Sequence, residues 1–462
     1  MISQDMAQII LKKTLVNGGQ FADIFFEHKQ STTIQLEDNK IEKVLTGLDS
    51  GVGIRLISKG ITAYAYSNDF SEQTLLDIAG TVSKIAEDAH ADFSMDLKKR
   101  YPNIIFPIMK KPEEIPISLK IEHVKRANEI ARKFDQKIKQ VNVIYRDTIQ
   151  KITSFTSQGF FANDERTYTT GIVQVIATDG ENIQTGYEAI GGLIGLELFD
   201  SLPLEQVALT AAKRAVKMLS ARRAPGGRMP VVISSLAGGT MIHEAVGHGL
   251  EADLAHEGMS VYSGKLGKKI ASSVITVIDD ATIPSKRGSF SFDDEGTPSQ
   301  KNILVKDGIL QGYMYDIYTA LKNGSSSTGN GRRQSYEHKP IPRMTNTLIA
   351  PGTLTPEEVI KSVSHGLFVK KMGGGQVNTV TGDFVFEVQE GYLIENGEIS
   401  EPVRGATLIG NGPETLMSID MVASDLGFSI GTCGKDAQGV PVSDAMPTLR
   451  IPEMVVGGEV NH

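Results

Sequence analysis

The sequence predicts an α+β fold of two domains, 1–223 and 224–462, each mixing helices with mainly antiparallel sheet. Three observations carry this expectation. Strand-like runs are punctuated by tight-turn dipeptides at Asp38-Asn39, Asp179-Gly180, Asp307-Gly308 and Asn396-Gly397, and such turns join antiparallel neighbours. Apolar residues at helical spacing are confined to a few stretches between those runs. The chain has 462 residues, too many for one ordinary domain, and Pro225-Gly226-Gly227 in the charged setting of 222–228 is its best linker candidate.

In chain order, a helix is expected over 3–17, stopped by Asn17-Gly18-Gly19. Strands follow at 22–27, 32–37, 40–45, 52–57 and 62–66, the second and third joined at Asp38-Asn39. Leu75, Ile78, Val82 and Ile85 recur every three or four residues, which predicts a helix near 71–89. The proline-rich stretch 101–117 reads as a connector. A helix near 119–134, strands at 140–155, 167–178 and 183–192, and a helix near 204–220 complete the amino half. The carboxyl half opens with a strand at 231–233 and a helix carrying MIHEAVGHGLEAD (241–253), then continues mostly as strand and turn.

Composition narrows the function. Hydrophobic residues make up 40% and charged residues 22%, ordinary for a globular protein. The net charge is −8 and no basic run exceeds Lys98-Lys99-Arg100, which argues against direct nucleic-acid binding. No apolar run approaches the ~20 residues that span a bilayer. With a single cysteine no internal disulfide can form, and no signal peptide is evident, so a cytoplasmic location is expected.

His243 and His248 stand five apart, with Glu244 after the first. The H-E-x-x-H pattern of zinc peptidases has its histidines four apart, on one helix face. At about 100° per residue, a spacing of five turns the second ring about 140° away. A π-turn, one residue wider than an α-turn, or a helix break near 245–247 would bring them back together, and Gly247 and Gly249 could ease the distortion. A third ligand is needed for zinc. Glu251 and Asp253 are near in sequence; Cys433, between glycines at 431 and 434, is the other candidate. Glu244 is placed to act as general acid/base. Against this stands the plainer reading of buried or hydrogen-bonded histidines and a structural cysteine.

The blocks HEAVGHGLEAD (243–253), FDDEGTP (292–298), TGNGRRQSYEHKPIPRMTNT (328–347), GGGQV (373–377), RGATLIGNGPE (404–414) and CGK (433–435) resemble those of the TldD family of metallopeptidases. FADIFFE (21–27) and SGVGIRLIS (50–58) extend the resemblance more weakly into the amino half. The resemblance implies a TldD/PmbA-like fold and a Zn2+ peptidase with ligands His243, His248 and Cys433 and with Glu244 as acid/base. It also implies an extended peptide substrate, unfolded polypeptides or leader peptides among them. The partner would be a second copy or a TldE/PmbA-like subunit lacking the metal motif. The competing expectation is a non-catalytic regulator of the gyrase-modulator kind, and a third is a purely structural zinc. His338 is a candidate oxyanion donor, with Arg332 and Arg333 as alternatives. Asp293-Asp294-Glu295 reads as an acidic turn paired with basic residues, or as a second cation site. Gly373–Gly375 reads as tight turns, or as backbone open to an added peptide strand.

Overall fold

The computed structural model describes residues 2–86 and 95–459. Its amino half is a seven-stranded sheet whose core runs 61–67, 40–58, 21–37, 138–156 and 160–178, all antiparallel. Strand 160–178 carries 183–193 on its far side and a short parallel partner, 98–99, at its start. The strands are far longer than expected. The expected pair 22–27 and 32–37 is one strand, Phe21–Glu37, and 40–45 and 52–57 lie within Lys40–Ser58. The polar stretch 28–33 stays extended because it pairs on both sides, with 45–50 and with 146–151. Asp38 and Asn39 both take positive φ, 48° and 68°, the requirement of a two-residue hairpin.

Alternation along 21–27 explains why every residue there is buried. Ala22, Ile24 and Phe26 face helices Gln4–Thr14 and Glu72–Val82. The same face further along, with Ile34, Leu36, Val141, Val143 and Tyr145, packs under helices Ile117–Phe134 and Leu204–Leu219. All four lie close to their expected positions; of the helix near 71–89, residues 87–89 lie outside the described residues. Asp23, Phe25 and Glu27 point the other way, into the carboxyl half.

The carboxyl half has two larger sheets. In one, 365–377, 227–233, 449–457, 407–411 and 383–395 pair in turn, and 383–395 pairs back to 365–377, closing a ring. The other is a six-stranded sheet ending in the hairpin 438–446 and 427–435. Between them lies the segment 240–256, its Met241, Ile242, Val246 and Leu250 in one core with strand residues Val231, Val369, Phe386 and Val442. The expected linker is not free chain. Arg222-Arg223 pairs with 403–404, Ala224 is fully buried, and Gly227 begins a strand. The turns at Asp307-Gly308 and Asn396-Gly397 both have paired positive φ, as expected.

A buried ionic knot joins the halves. Arg55 binds Asp23 and Glu295, each at 2.7 Å, Arg166 binds Asp164 at 3.0 Å and Asp294 at 2.8 Å, and Arg333 reaches Asp23 at 3.2 Å. Glu27 accepts from Tyr336 N at 2.9 Å. The ring of Tyr336 lies where a Cβ on Gly51 would sit 2.1 Å from its Cε2, so glycine is required there by close approach. Among the described residues no helix is long and apolar enough to cross a membrane.

Candidate metal centre

The segment that begins at Thr240 changes pitch within one turn. Residues 240–242 are α-helical, His243–Gly247 form a π-turn, His248–Leu250 tighten to 3₁₀, and Ala252–His256 resume an α-helix. The backbone N–H of His248 donates to His243 O, so the two histidines are tied by the wide-turn hydrogen bond itself. Their rings meet edge to face with centroids 5.2 Å apart. The extra residue of H-E-x-x-x-H is absorbed in this way. Carbonyls loosened by the change of pitch find side-chain donors: Tyr262 OH donates to Ala245 O at 3.1 Å, and Ser260 Oγ to Gly249 O at 2.6 Å.

The glycines serve a different purpose from the one expected. Gly247 has ordinary helical dihedrals, φ −55° and ψ −54°. A Cβ there would lie 2.0 Å from Met344 Sδ, and one on Gly249 would lie 2.6 Å from the Tyr262 ring. Close packing, rather than backbone freedom, demands them.

Cys433 comes from the edge strand 427–435, and its Sγ lies 3.5 Å from His248 Nε2. Ligand atoms of His243, His248 and Cys433 all lie within 4.8 Å of one another, and among the described residues this is the cluster of His, Cys, Asp and Glu that could hold an ion. On a shared tetrahedral zinc, a nitrogen and a sulfur stand about 3.6 Å apart. The donor set fits such an ion: two imidazoles and one thiolate. His243 Nδ1 is buried with no hydrogen-bond partner among the described residues. Burial would push the Cys433 thiol up, but hydrogen bonds and charge from His243 and His248 bring it down to about 5. Burial would lower both histidines. Cys433 raises His243, and the Glu251 charge together with Cys433 raises His248 well above the usual range.

Glu251 and Asp253 are not in the cluster. Glu251 sits behind it, its Oε2 3.0 Å from His248 Nδ1, which fixes that ring with Nε2 toward Cys433. Lys435 Nζ lies 3.1 Å from Glu251 and 2.7 Å from Asp253, and also donates to Pro342 O at 3.1 Å. Burial opposes ionisation of Glu251, yet the charges of Lys435 and His248 hold it near 2. Arg343, fully buried, donates to the carbonyl of Cys433. Lys435 follows Cys433 by two, the spacing that puts both on one strand face; that signal was present in the sequence. Arg343, Met344 and Tyr262 had none.

Glu244 is half-buried and makes no hydrogen bond or ion pair among the described residues. His338 is half-buried, with Nδ1 3.0 Å from Ser335 Oγ. The arginines are committed elsewhere. Arg332 donates to Met344 O and Pro441 O, and Arg333 belongs to the ionic knot. Asp293, Asp294 and Glu295 are buried and saturated by backbone N–H groups, Arg166 and Arg55, so the acidic turn is structural. Gly373–Gly375 lie in strand 365–377, where the register against 383–395 slips repeatedly, and Gly373 and Gly374 line a cleft of about 1080 Å³ between the halves.

Comparison with known proteins follows the same lines. Residues 226–458 match the PmbA/TldA metallopeptidase C-terminal domain, 110–219 the central domain and 22–90 domain 1. The metalloprotease TldD homolog of Haemophilus influenzae is 39% identical, covering 95% of this chain and 93% of its own. A metalloprotease of Methanocaldococcus jannaschii is 36% identical over 94% of this chain and 97% of its own. Two solved structures share the fold: a protein described as a modulator of DNA gyrase from Thermotoga maritima (TM-score 0.82, 21% identity, 98% of this chain and 100% of that one) and TldE from Thermococcus kodakarensis (0.77, 18%, 98% and 99%). With matching domain models along most of its length and relatives above 30% identity from end to end, the chain belongs to the PmbA/TldD metallopeptidase family.

Proposed function

We propose that this protein is a zinc-dependent peptidase that hydrolyses peptide bonds in unfolded or extended polypeptides, in leader-peptide removal or proteolytic turnover. The observation that carries the reading is the convergence of His243, His248 and Cys433 through the π-turn. His243, His248 and Cys433 would hold the ion. Bound there, zinc supplies Lewis acidity, polarising a carbonyl oxygen and easing the ionisation of water. Glu244 accepts the proton of the attacking water and returns it to the leaving amine, for which its unpaired carboxylate is free. Glu251 orients His248, and Lys435 holds Glu251 charged and in place. His338 remains a candidate donor to the developing oxyanion.

The reading assigns catalysis to 224–462 and one cleft wall to 1–223. It takes the enzyme to work in the cytoplasm as two subunits, either two copies or one copy with a TldE-like partner, which the likeness to TldE supports. A non-catalytic regulatory role is the second reading, favoured by the neighbour described as a gyrase modulator. Metal analysis beside peptide cleavage, for wild type and Glu244→Gln, alone and with any co-expressed relative, separates them. The peptidase reading expects equal metal in both proteins and a loss of about 10²–10⁴ in turnover for the variant. Equal metal with no cleavage by either protein favours the regulator. A purely structural zinc predicts a closed fourth ligand and unchanged activity in Glu244→Gln.

A further inference from the structure

The thiolate of Cys433 has to stand at a set distance from His248, a residue 185 positions away in the chain. Metal ligands tolerate displacements of only about 0.2 Å. Cys433 sits near the tip of a hairpin turned at Asp436 and Ala437, both with positive φ, and its strand, 427–435, pairs among the described residues with 438–446 alone. A two-stranded tip is not rigid by itself. Arg343 grips it from outside. This arginine is fully buried, and its fork spans both strands: Nη2 donates to Cys433 O, and Nη1 to Gln438 O at 3.2 Å. Its Nε faces Glu251 Oε1 across 4.0 Å, and neither atom has a hydrogen-bond partner among the described residues. The other carboxylate oxygen, Oε2, holds His248 Nδ1. Arg343 is itself anchored. Its N donates to Asn330 O at 2.9 Å, and its O accepts at 3.0 Å from Asn330 Nδ2, which also donates to Asp279 of strand 277–280.

We propose that Arg343 is a positioning residue that sets the spacing of Cys433 and His248, through the Cys433 carbonyl on one side and Glu251 on the other. The proposal rests on His243, His248 and Cys433 being the metal ligands. A guanidinium is planar and its donors point in fixed directions, so it holds the hairpin tip and the carboxylate in one frame. The carboxylate fixes the ring, and the tip fixes the sulfur. Lys435 cannot do the same: it reaches Glu251 and Pro342 O, but it rides on the very strand that must be held. Neutralising Glu251 is not the reason for Arg343 either. His248 and Lys435 already lie 3.0 Å and 3.1 Å from that carboxylate, whereas Arg343 stands at 4.0 Å. What arginine adds is geometry, and lysine, a point charge on a flexible stem, would not supply it.

Two variants of the full chain remove the fork: Arg343→Lys, which keeps the charge, and Arg343→Gln, which does not. The chain's single cysteine, Cys433, is buried, so in the metal-free protein iodoacetamide labels it as the hairpin tip opens. Losing hydrogen bonds from a charged donor should speed labelling about ten-fold in both variants. Their affinity for Zn2+, read by competition with a chelator, should fall about 10–100-fold, with stoichiometry at saturation unchanged. Arg166→Lys, at an equally buried arginine of the ionic knot, should lose stability yet keep both values within about three-fold of wild type. An Arg343→Lys protein that matches wild type in labelling and in affinity overturns the proposal, because charge would then be enough. Unchanged labelling in Arg343→Gln overturns it as well, should the lysine variant fail to fold. So does an equal loss in Arg166→Lys, which would reduce the effect to stability. A wild-type protein that takes up no metal would sink the ligand assignment instead, and the labelling rates would still decide on Arg343.

Discussion

Gly247→Ala tests whether the π-turn is held by packing. Ala is intrinsically better than Gly in a helix by about 1 kcal/mol, and the dihedrals at 247 suit it, so backbone preference favours the variant. Sterics oppose it. The new methyl would lie 2.0 Å from Met344 Sδ, where carbons and sulfur need about 3.5 Å, so one partner must move by about 1.5 Å. Met344 is fully buried, and overpacking of this kind costs about 1–3 kcal/mol. Global stability should therefore fall by only about 0–2 kcal/mol. Metal affinity should fall much further, because ligand positions tolerate displacements of only about 0.2 Å and Gly247 adjoins His248. A competition titration against a chromophoric chelator should show a loss of more than about ten-fold. Met344→Ala in the same chain removes the clash, and the double variant should recover affinity to within about three-fold despite the cavity it opens. Wild-type affinity in Gly247→Ala, or no recovery in the double variant, would refute this account of the glycine.

Three further outcomes follow from the charges around the site and the knot. Both imidazoles have raised affinity for protons and must be neutral to bind a metal, so binding should release about one to two protons near pH 7 and affinity should fall from pH 8 to pH 6; Cys433, near 5, contributes little in that window. Titrations in buffers of different ionisation enthalpy measure the release, and pH-independent affinity would contradict it. Glu251→Gln should weaken metal binding by about 10–100-fold while leaving three ligands in place, with stoichiometry at saturating metal unchanged. Arg55→Met leaves Glu295 buried without its cation and should cost about 3–5 kcal/mol in urea unfolding. Burial already raises the Glu295 pKa; in the variant the folded state binds its proton more readily than the unfolded chain, so the loss should shrink as pH falls from 8 toward 5.

Much of the architecture was legible because its signals are local. Asp38-Asn39 and Asn396-Gly397 announce left-handed turns, and Leu75, Ile78 and Val82 announce a helix face, without reference to the rest of the chain. The meeting of His243 and His248 was legible for the same reason: one fused motif holds both. The length of the sheet strands was not, since Gln30, Ser31 and Thr33 have no reason to be extended until both neighbouring strands are in place. The segment 222–228 has linker composition, yet Arg222-Arg223 joins a sheet edge contributed by residues some 180 positions later. Arg333 was an alternative oxyanion donor because charge is conspicuous in sequence, and Asp294 was expected in an acidic turn paired with basic residues; the partners of both, Asp23 and Arg166, lie in the other half. Burial, not charge, separates a structural ion pair from a functional one, and burial is a tertiary property.

That knot also bears on which polypeptides can enter the cleft between the halves, which is lined in part by Thr240 of the segment that carries His243. The cleft between the halves is walled by Tyr187, Glu188 and Arg214 on one side and by Thr240, Lys371, Gly374 and Ser429 on the other. Ion pairs cross between its walls: Arg214 to Glu390 at 2.8 Å and Lys371 to Glu188 at 3.1 Å. Swinging the halves apart would break these as well as the pairs of Arg55, Arg166 and Arg333. Stripping a partner from a buried charge costs about 3–5 kcal/mol each time, so the sum rivals the whole stability of a typical domain. The cleft width is therefore fixed by the fold. A helix with its side chains is about 10–12 Å across, whereas an extended strand is narrower and can lie along the walls. Selection should act on whether a substrate is already unfolded, and only weakly on its sequence. A small two-state domain and a destabilised variant of it, differing by one core substitution, provide the assay: cleavage rates should track the unfolded fraction of each. Equal rates for a stably folded domain and its unfolded form would show that the halves do part, and that the knot is weaker than its burial implies.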